Sequence, residues 1–147
     1  MIKFAPKLDF TNLLDLDIQQ YHEIVADLSK IDRERIEDEL DTLSGIYGYY
    51  YGLMVRANRL LDGAIQARDS YRSSRKNELR KLPSKNTVES LNDQLNADSD
   101  AKQLDIEVAD IEEIYGLVKG ICSTLENKKD MLVQLSANKR QEIKLHS

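Results

Sequence analysis

Glycine, proline, cysteine and tryptophan are all scarce in this 147-residue chain, which has six Gly, two Pro, one Cys and no Trp. Sheet architectures need a turn roughly every 10 residues, and so few turn formers cannot supply them. Long helices are the alternative that needs fewest turns. The lone Cys122 has no partner for an internal disulfide, and with only His22 and His146 beside it there is no zinc-ligand set. Both features fit a reducing, cytoplasmic setting. No apolar run approaches the roughly 20 residues of a membrane span, and the opening MIKFAPKLDF has no signal-peptide core. Neither membrane insertion nor secretion is expected.

Charge is plentiful, at 32% of residues, and unevenly placed. The formal net charge of -5 divides into -6 over residues 1–55, +6 over 56–85, -8 over 86–115 and +3 over 116–147. A basic block is thus embedded in an acidic protein, and such asymmetry is the part of the charge that bears on partners.

Apolar residues recur at helical spacing. Ile18, Tyr21, Ile24, Val25 and Leu28 describe a short amphipathic helix within an N-terminal segment, residues 1–31. From Ile36 a seam runs through Leu40, Leu43, Tyr47, Tyr50, Met54, Ala57, Leu61 and Ala64 in alternating steps of four and three, as in coiled coils. With no proline between Asp32 and Pro83, this helix extends from about Asp32 to Lys81. A second seam, Leu104, Val108, Ile111, Tyr115, Val118, Cys122, Leu125 and Leu132, repeats the steps and can lie antiparallel along the first. The expected fold is all-α: a long helical hairpin over residues 32–147, one domain, with a turn at about 82–100 rich in Ser, Asn and Asp. Asp98 or Ser99 suits the N-cap of the second long helix.

No charge falls between Asp41 and Arg56. At 100° per residue, Gly45, Gly48 and Gly52 lie about 200°, 140° and 180° from Leu43, opposite the seam. Tyr49, Tyr51, Leu53 and Val55 fill the flanks. A helix that is apolar or small all round needs cover on both sides. Mid-helix glycine costs about 1 kcal/mol relative to alanine, and close approach of another backbone is its usual return. Gly45, Gly48, Tyr49, Tyr51, Gly52 and Val55 are therefore candidates for a homo-oligomer interface, the alternative cover being the chain's own N-terminal helix.

Beyond Ala64 the seam turns basic, with Arg68, Arg72 and Arg75 at about -20°, 20° and -40°. Arg56 and Arg59 lie instead on the glycine face, and Tyr71, Lys76, Arg80 and Lys81 complete the block. Arginine forks bind phosphate and tyrosine can stack on an unpaired base, a mixture suited to single-stranded nucleic acid. A turn near residue 91 would instead bring Arg75 opposite Glu107 and Arg72 opposite Asp110, so that the second helix neutralises the block. Spacing leaves both readings open.

The strings AIQARDSYRSS at Ala64–Ser74, NADSD at Asn96–Asp100 and LDIEVADIEEIYGLVKGICSTLENKKDM up to Met131 resemble the UvsY family of tailed-phage recombination mediators. The likeness covers about half the chain, roughly residues 64–132. It implies a small non-enzymatic protein that assembles into rings, binds single-stranded DNA and helps load a RecA-like recombinase where single-strand-binding protein coats the strand. The setting implied is the cytoplasm of an infected bacterium. Of the family's DNA-binding Lys-Ala-Arg, Arg68 matches and Gln66 stands in place of the lysine, with Arg72, Arg75 and Lys76 on the following turns.

Enzymatic function finds no pattern to rest on: there is no glycine-rich phosphate loop, no metal-ligand spacing and no Ser/His or Cys/His pair, and no cofactor is expected. Cys122 reads as a small core hydrophobe, and Glu112, Glu113, Asp98 and Asp100 as helix surface or caps. The other class of function consistent with these helices is a scaffold or inhibitor that acts through its acidic faces and binds no DNA.

Overall fold

The structure, a computed structural model, describes residues 4, 6–82 and 87–146. Four α-helices and no strand are found among them: α1 (Ile18–Leu28), α2 (Ile36–Arg80), α3 (Val88–Ala97) and α4 (Ser99–His146), with a single 3-10 turn at Leu13–Asp15. The protein is all-α; α2 spans Ile36–Arg80 where the sequence suggests about 32–81, whereas α4 starts at the expected cap and continues fourteen residues past Leu132, the last residue of the second seam, to His146. The chain divides into two compact units, residues 1–56 with 116–147, and residues 57–115.

In the first unit α1 starts at a reciprocal capping box. The Asp17 carboxylate accepts from the Gln20 backbone N–H at 2.8 Å, and Gln20 Oε1 accepts from the Asp17 N–H at 3.4 Å. The early part of α2 lies antiparallel to α4: the Ser136 hydroxyl donates to Glu37 at 2.6 Å, and ten residues further along α2 the Tyr47 hydroxyl donates to Glu126 at 2.9 Å. Ile36, Leu43 and Tyr50 of the first seam and Val118, Cys122, Leu125 and Leu132 of the second are buried as their spacing requires. Burial pushes the Tyr50 phenol up to about 12. It also raises the Cys122 thiol, in keeping with a core side chain.

The flanks of the uncharged stretch are unlike one another. Leu53 is completely buried, and Tyr49 is covered by the chain's own N-terminal segment. The Phe4 ring meets Tyr49 edge-on at 5.4 Å, and the Tyr49 hydroxyl donates to the Leu8 carbonyl at 2.5 Å. Leu8, Leu13 and Leu16, which lie before α1, are buried. The contacts of Tyr49 thus come from residues before α1, where spacing favours another subunit and offers the N-terminal helix as the alternative; α1 lies against α4, where a Cβ on Gly120 would be 2.7 Å from the Tyr21 hydroxyl, and its Ile24 and Leu28 line a groove with Ile46 and Tyr50 of α2. Close approach accounts for Gly120, whereas a Cβ at Gly45, Gly48 or Gly52 meets nothing within 4 Å.

The second unit holds the later part of α2, all of α3 and the start of α4. Helix α3 occupies much of the stretch that composition assigns to a turn, and it corrects that expectation. Thr87 caps it by accepting from the Ser90 N–H at 3.1 Å, and Leu91 and Leu95, one turn apart, form a buried cluster with Leu79 of α2. Pro83, the proline of the expected turn, lies outside the described residues. Asp98 joins α3 to α4: its carboxylate accepts from the Asp100 and Ala101 N–H groups at 2.9 and 3.1 Å, making it the N-cap of α4.

Candidate nucleic-acid interface

The basic residues of α2 in the second unit are spread round the helix: Arg59 on one side, Arg68, Arg72 and Arg75 on the opposite side, and Lys76 and Arg80 between them, on the edge that also carries Asp62 and Asp69. Arg59, Gly63, Gln66, Ser70, Ser74 and Asn77 recur in steps of three and four along one side, and all are exposed, as is Lys81 just past the helix end. This face carries no carboxylate between Arg59 and Asn77, since Asp62 and Asp69 project from its edge. Its small residues leave the backbone approachable. Among the described residues, no ion pair involves Arg59, Lys76, Arg80 or Lys81. Arg56, at the end of the first unit, is also exposed and unpaired among them.

The opposite side continues the apolar seam, and there acids meet the arginines. Arg72 Nη2 donates to Asp105 Oδ2 at 2.7 Å. Arg75 Nη1 donates to Glu78 Oε2 at 2.8 Å, and its Nε lies 3.3 Å from Asp98 Oδ2. The Tyr71 hydroxyl sits 2.9 Å from both Asp98 carboxylate oxygens. Among the described residues, Arg68 pairs only with its neighbour Asp69, at 3.1 Å. The neutralising contact read from spacing is thus present in kind but not in register. Arg72 meets Asp105 instead of Asp110, and Arg75 meets Asp98 instead of Glu107. Both partners lie earlier in the chain than a turn centred at residue 91 places them, Asp98 being the residue that caps α4.

These contacts shift the titrations of their members. The Ala101 N–H, aided by the Tyr71 hydroxyl, the Asp100 N–H and the Arg75 charge, holds the Asp98 carboxyl below the usual carboxylate range against the effect of burial. Burial, and then the bond to Asp98, raises the Tyr71 phenol. The bond to Glu78 raises the Arg75 guanidinium. Tyr71 is half-buried and tied at its hydroxyl, so it does not present the free stacking surface that its place in the basic block suggests. A groove of about 500 Å³ runs beside the cluster, lined by Tyr71, Ser74, Arg75, Glu78, Asp98, Ser99 and Asp100.

Of the candidate interface residues in the first unit, Gly45 and Gly48 are exposed, Tyr51 and Val55 are 46% and 47% exposed, and Gly52 is half-buried. Tyr49 is withdrawn from that surface by Phe4 and Leu8. Sequence reasoning passes over Asp105 as the partner of Arg72, and over Phe4 and Leu8 as cover for Tyr49, because each pairing joins residues more than 30 positions apart with no local pattern linking them. Asp98 is different, since its capping role is readable from its neighbours. No family model matches the chain, and no curated protein or solved structure is similar to it.

Proposed function

We propose that this chain is a non-enzymatic recombination mediator: it binds single-stranded DNA, self-assembles, and helps load a RecA-like recombinase onto strands coated by single-strand-binding protein. The observation that carries the DNA-binding part is the exposed, carboxylate-free face of α2 from Arg59 to Asn77, with Lys81 beyond it, in a chain of net charge -5. An acidic protein that leaves cations unpaired beside small polar residues has a surface suited to phosphates. The role in recombination rests on the likeness to the UvsY family through Ala64–Ser74 and the start of α4. Self-assembly is supported by the open glycines of the uncharged stretch together with exposed Tyr51 and Val55. Several copies held in a ring would let weak contacts act together on one strand through effective concentration.

Fluorescence anisotropy of a labelled oligonucleotide tests the DNA reading. Binding should weaken steeply between low and moderate salt and favour single strands, and each of Arg59→Ala and Lys81→Ala should flatten the log–log salt dependence by about 0.7. No binding at low salt would refute it. Light scattering tests the assembly: the wild type should exceed the 16.9 kDa of one chain, and Gly48→Glu should lower the mass while helicity is kept. A wild type that runs as a monomer would refute the ring.

A second reading has its own support. Asp105, Asp98 and Glu78 already engage Arg72, Arg75 and Tyr71, as expected if these cations serve the fold and not a strand, which leaves the remaining acidic faces to act as those of a scaffold or inhibitor. That reading predicts no DNA affinity under any salt condition.

A further inference from the structure

We infer that Arg72 and Arg75 form a masked phosphate site, held in the free chain by Asp105, Glu78 and Asp98, and opened when strand phosphates replace Asp105 and Glu78. The inference rests on the DNA reading and adds to it a reserve of cations beyond the open face. Carboxylate and phosphate oxygens are interchangeable acceptors for a guanidinium fork, so the groups that now hold the arginines mark where phosphate oxygens can sit.

Exposure decides which contacts can exchange. The Arg72 and Asp105 side chains are 31% and 44% exposed, and those of Arg75 and Glu78 are 40% and 64% exposed. Pairs this open to water are weak, because each partner is well solvated apart. Asp98 differs: its side chain is only 14% exposed, and the Asp100 and Ala101 N–H groups hold it as the cap of α4. It stays satisfied when Arg75 swings away, so release of the arginine leaves no orphaned carboxylate and does not unfold the helix start.

The groove supplies the route. Ser74 belongs to the carboxylate-free face of α2 and also lines the groove beside Arg75, so a strand lying along that face reaches the masked cations at this point. Glu78, Asp98 and Asp100 line the same groove and repel a phosphate until Glu78 gives way. A strand that releases many counterions can drive the exchange, whereas one small anion cannot.

The test compares Glu78→Gln with Asp105→Asn, as a double variant, against Glu112→Gln with Glu113→Gln, which makes the same charge change at two exposed residues of α4 away from the cluster. Anisotropy of a labelled single-stranded oligonucleotide is read at several salt concentrations. The unmasked variant should bind at least about threefold tighter than the control, because the strand no longer has to displace two carboxylates to reach the same cations. Adding Arg72→Ala and Arg75→Ala should abolish the gain, and inorganic phosphate should not reproduce it. A gain no larger than the control's, in a protein whose wild type binds DNA, overturns the mask alone. Failure of every variant to bind overturns the DNA reading with it. Glu78→Gln by itself, which changes a residue of α2 that pairs within its own helix, preserves the test if Asp105→Asn loosens the helix pair.

Discussion

Lys128→Ala is expected to lower the unfolding free energy by about 3–5 kcal/mol, the loss typical of breaking a buried ion pair from one side. Lys128 Nζ lies 3.2 Å from Glu39 Oε1, and the two side chains are only 11% and 9% exposed. Removing the ammonium strands a carboxylate that water cannot reach well enough to solvate. Glu39 also joins α2 to the segment before it, since its second oxygen accepts from the Asp32 N–H at 2.9 Å. The double replacement Glu39→Leu with Lys128→Leu should recover most of the loss, because it removes both charges together. It should not recover all of it, as the Asp32 N–H loses its acceptor at a cost of about 1 kcal/mol. Urea unfolding followed by circular dichroism checks both. A Lys128→Ala midpoint equal to wild type would mean that the pair contributes nothing to the fold.

Leu53→Ala should cost about 2–5 kcal/mol, as for other large core aliphatics cut back to alanine. Its side chain is completely buried within a single chain, although it lies on a flank where spacing suggests cover from another subunit. The two sources of cover separate by mass action. If the chain's own residues bury Leu53, the loss measured by urea unfolding is the same at low and high protein concentration. A loss that grows with concentration would assign the burial to an interface, contrary to the structure.

Leu53 shows where spacing stops being informative. Heptad steps locate Leu43, Tyr50 and Ala57 on the packed side of α2, and all three are buried, since a regular helix carries residues three and four apart on one face whatever else the chain does. The same arithmetic sets Tyr49 and Leu53 aside from the seam, and it says nothing about Phe4 and Leu8, which meet Tyr49 from outside any periodic segment. Asp98 illustrates the opposite case. A carboxylate just ahead of an apolar-periodic run can bond the first free N–H groups of that helix, and it does. Helix α3 falls between the two: Leu91 and Leu95 are correctly spaced, but ten residues hold a helix only weakly until Leu79 supplies something to pack against.

For the basic block, composition and angle suffice to place a net positive stretch on α2 and to set Arg59 on a different side from Arg68, Arg72 and Arg75, because both follow from chain position on a regular helix. Which carboxylates those arginines meet is decided by the fold. Against a turn centred at residue 91, the partner of Arg72 lies five residues earlier and that of Arg75 nine residues earlier, at the cap of α4 instead of within it. Electrostatic partners more than 20 residues apart are set by helix packing, since charge on a sequence has a sign and a side but no distance until the helices are laid together.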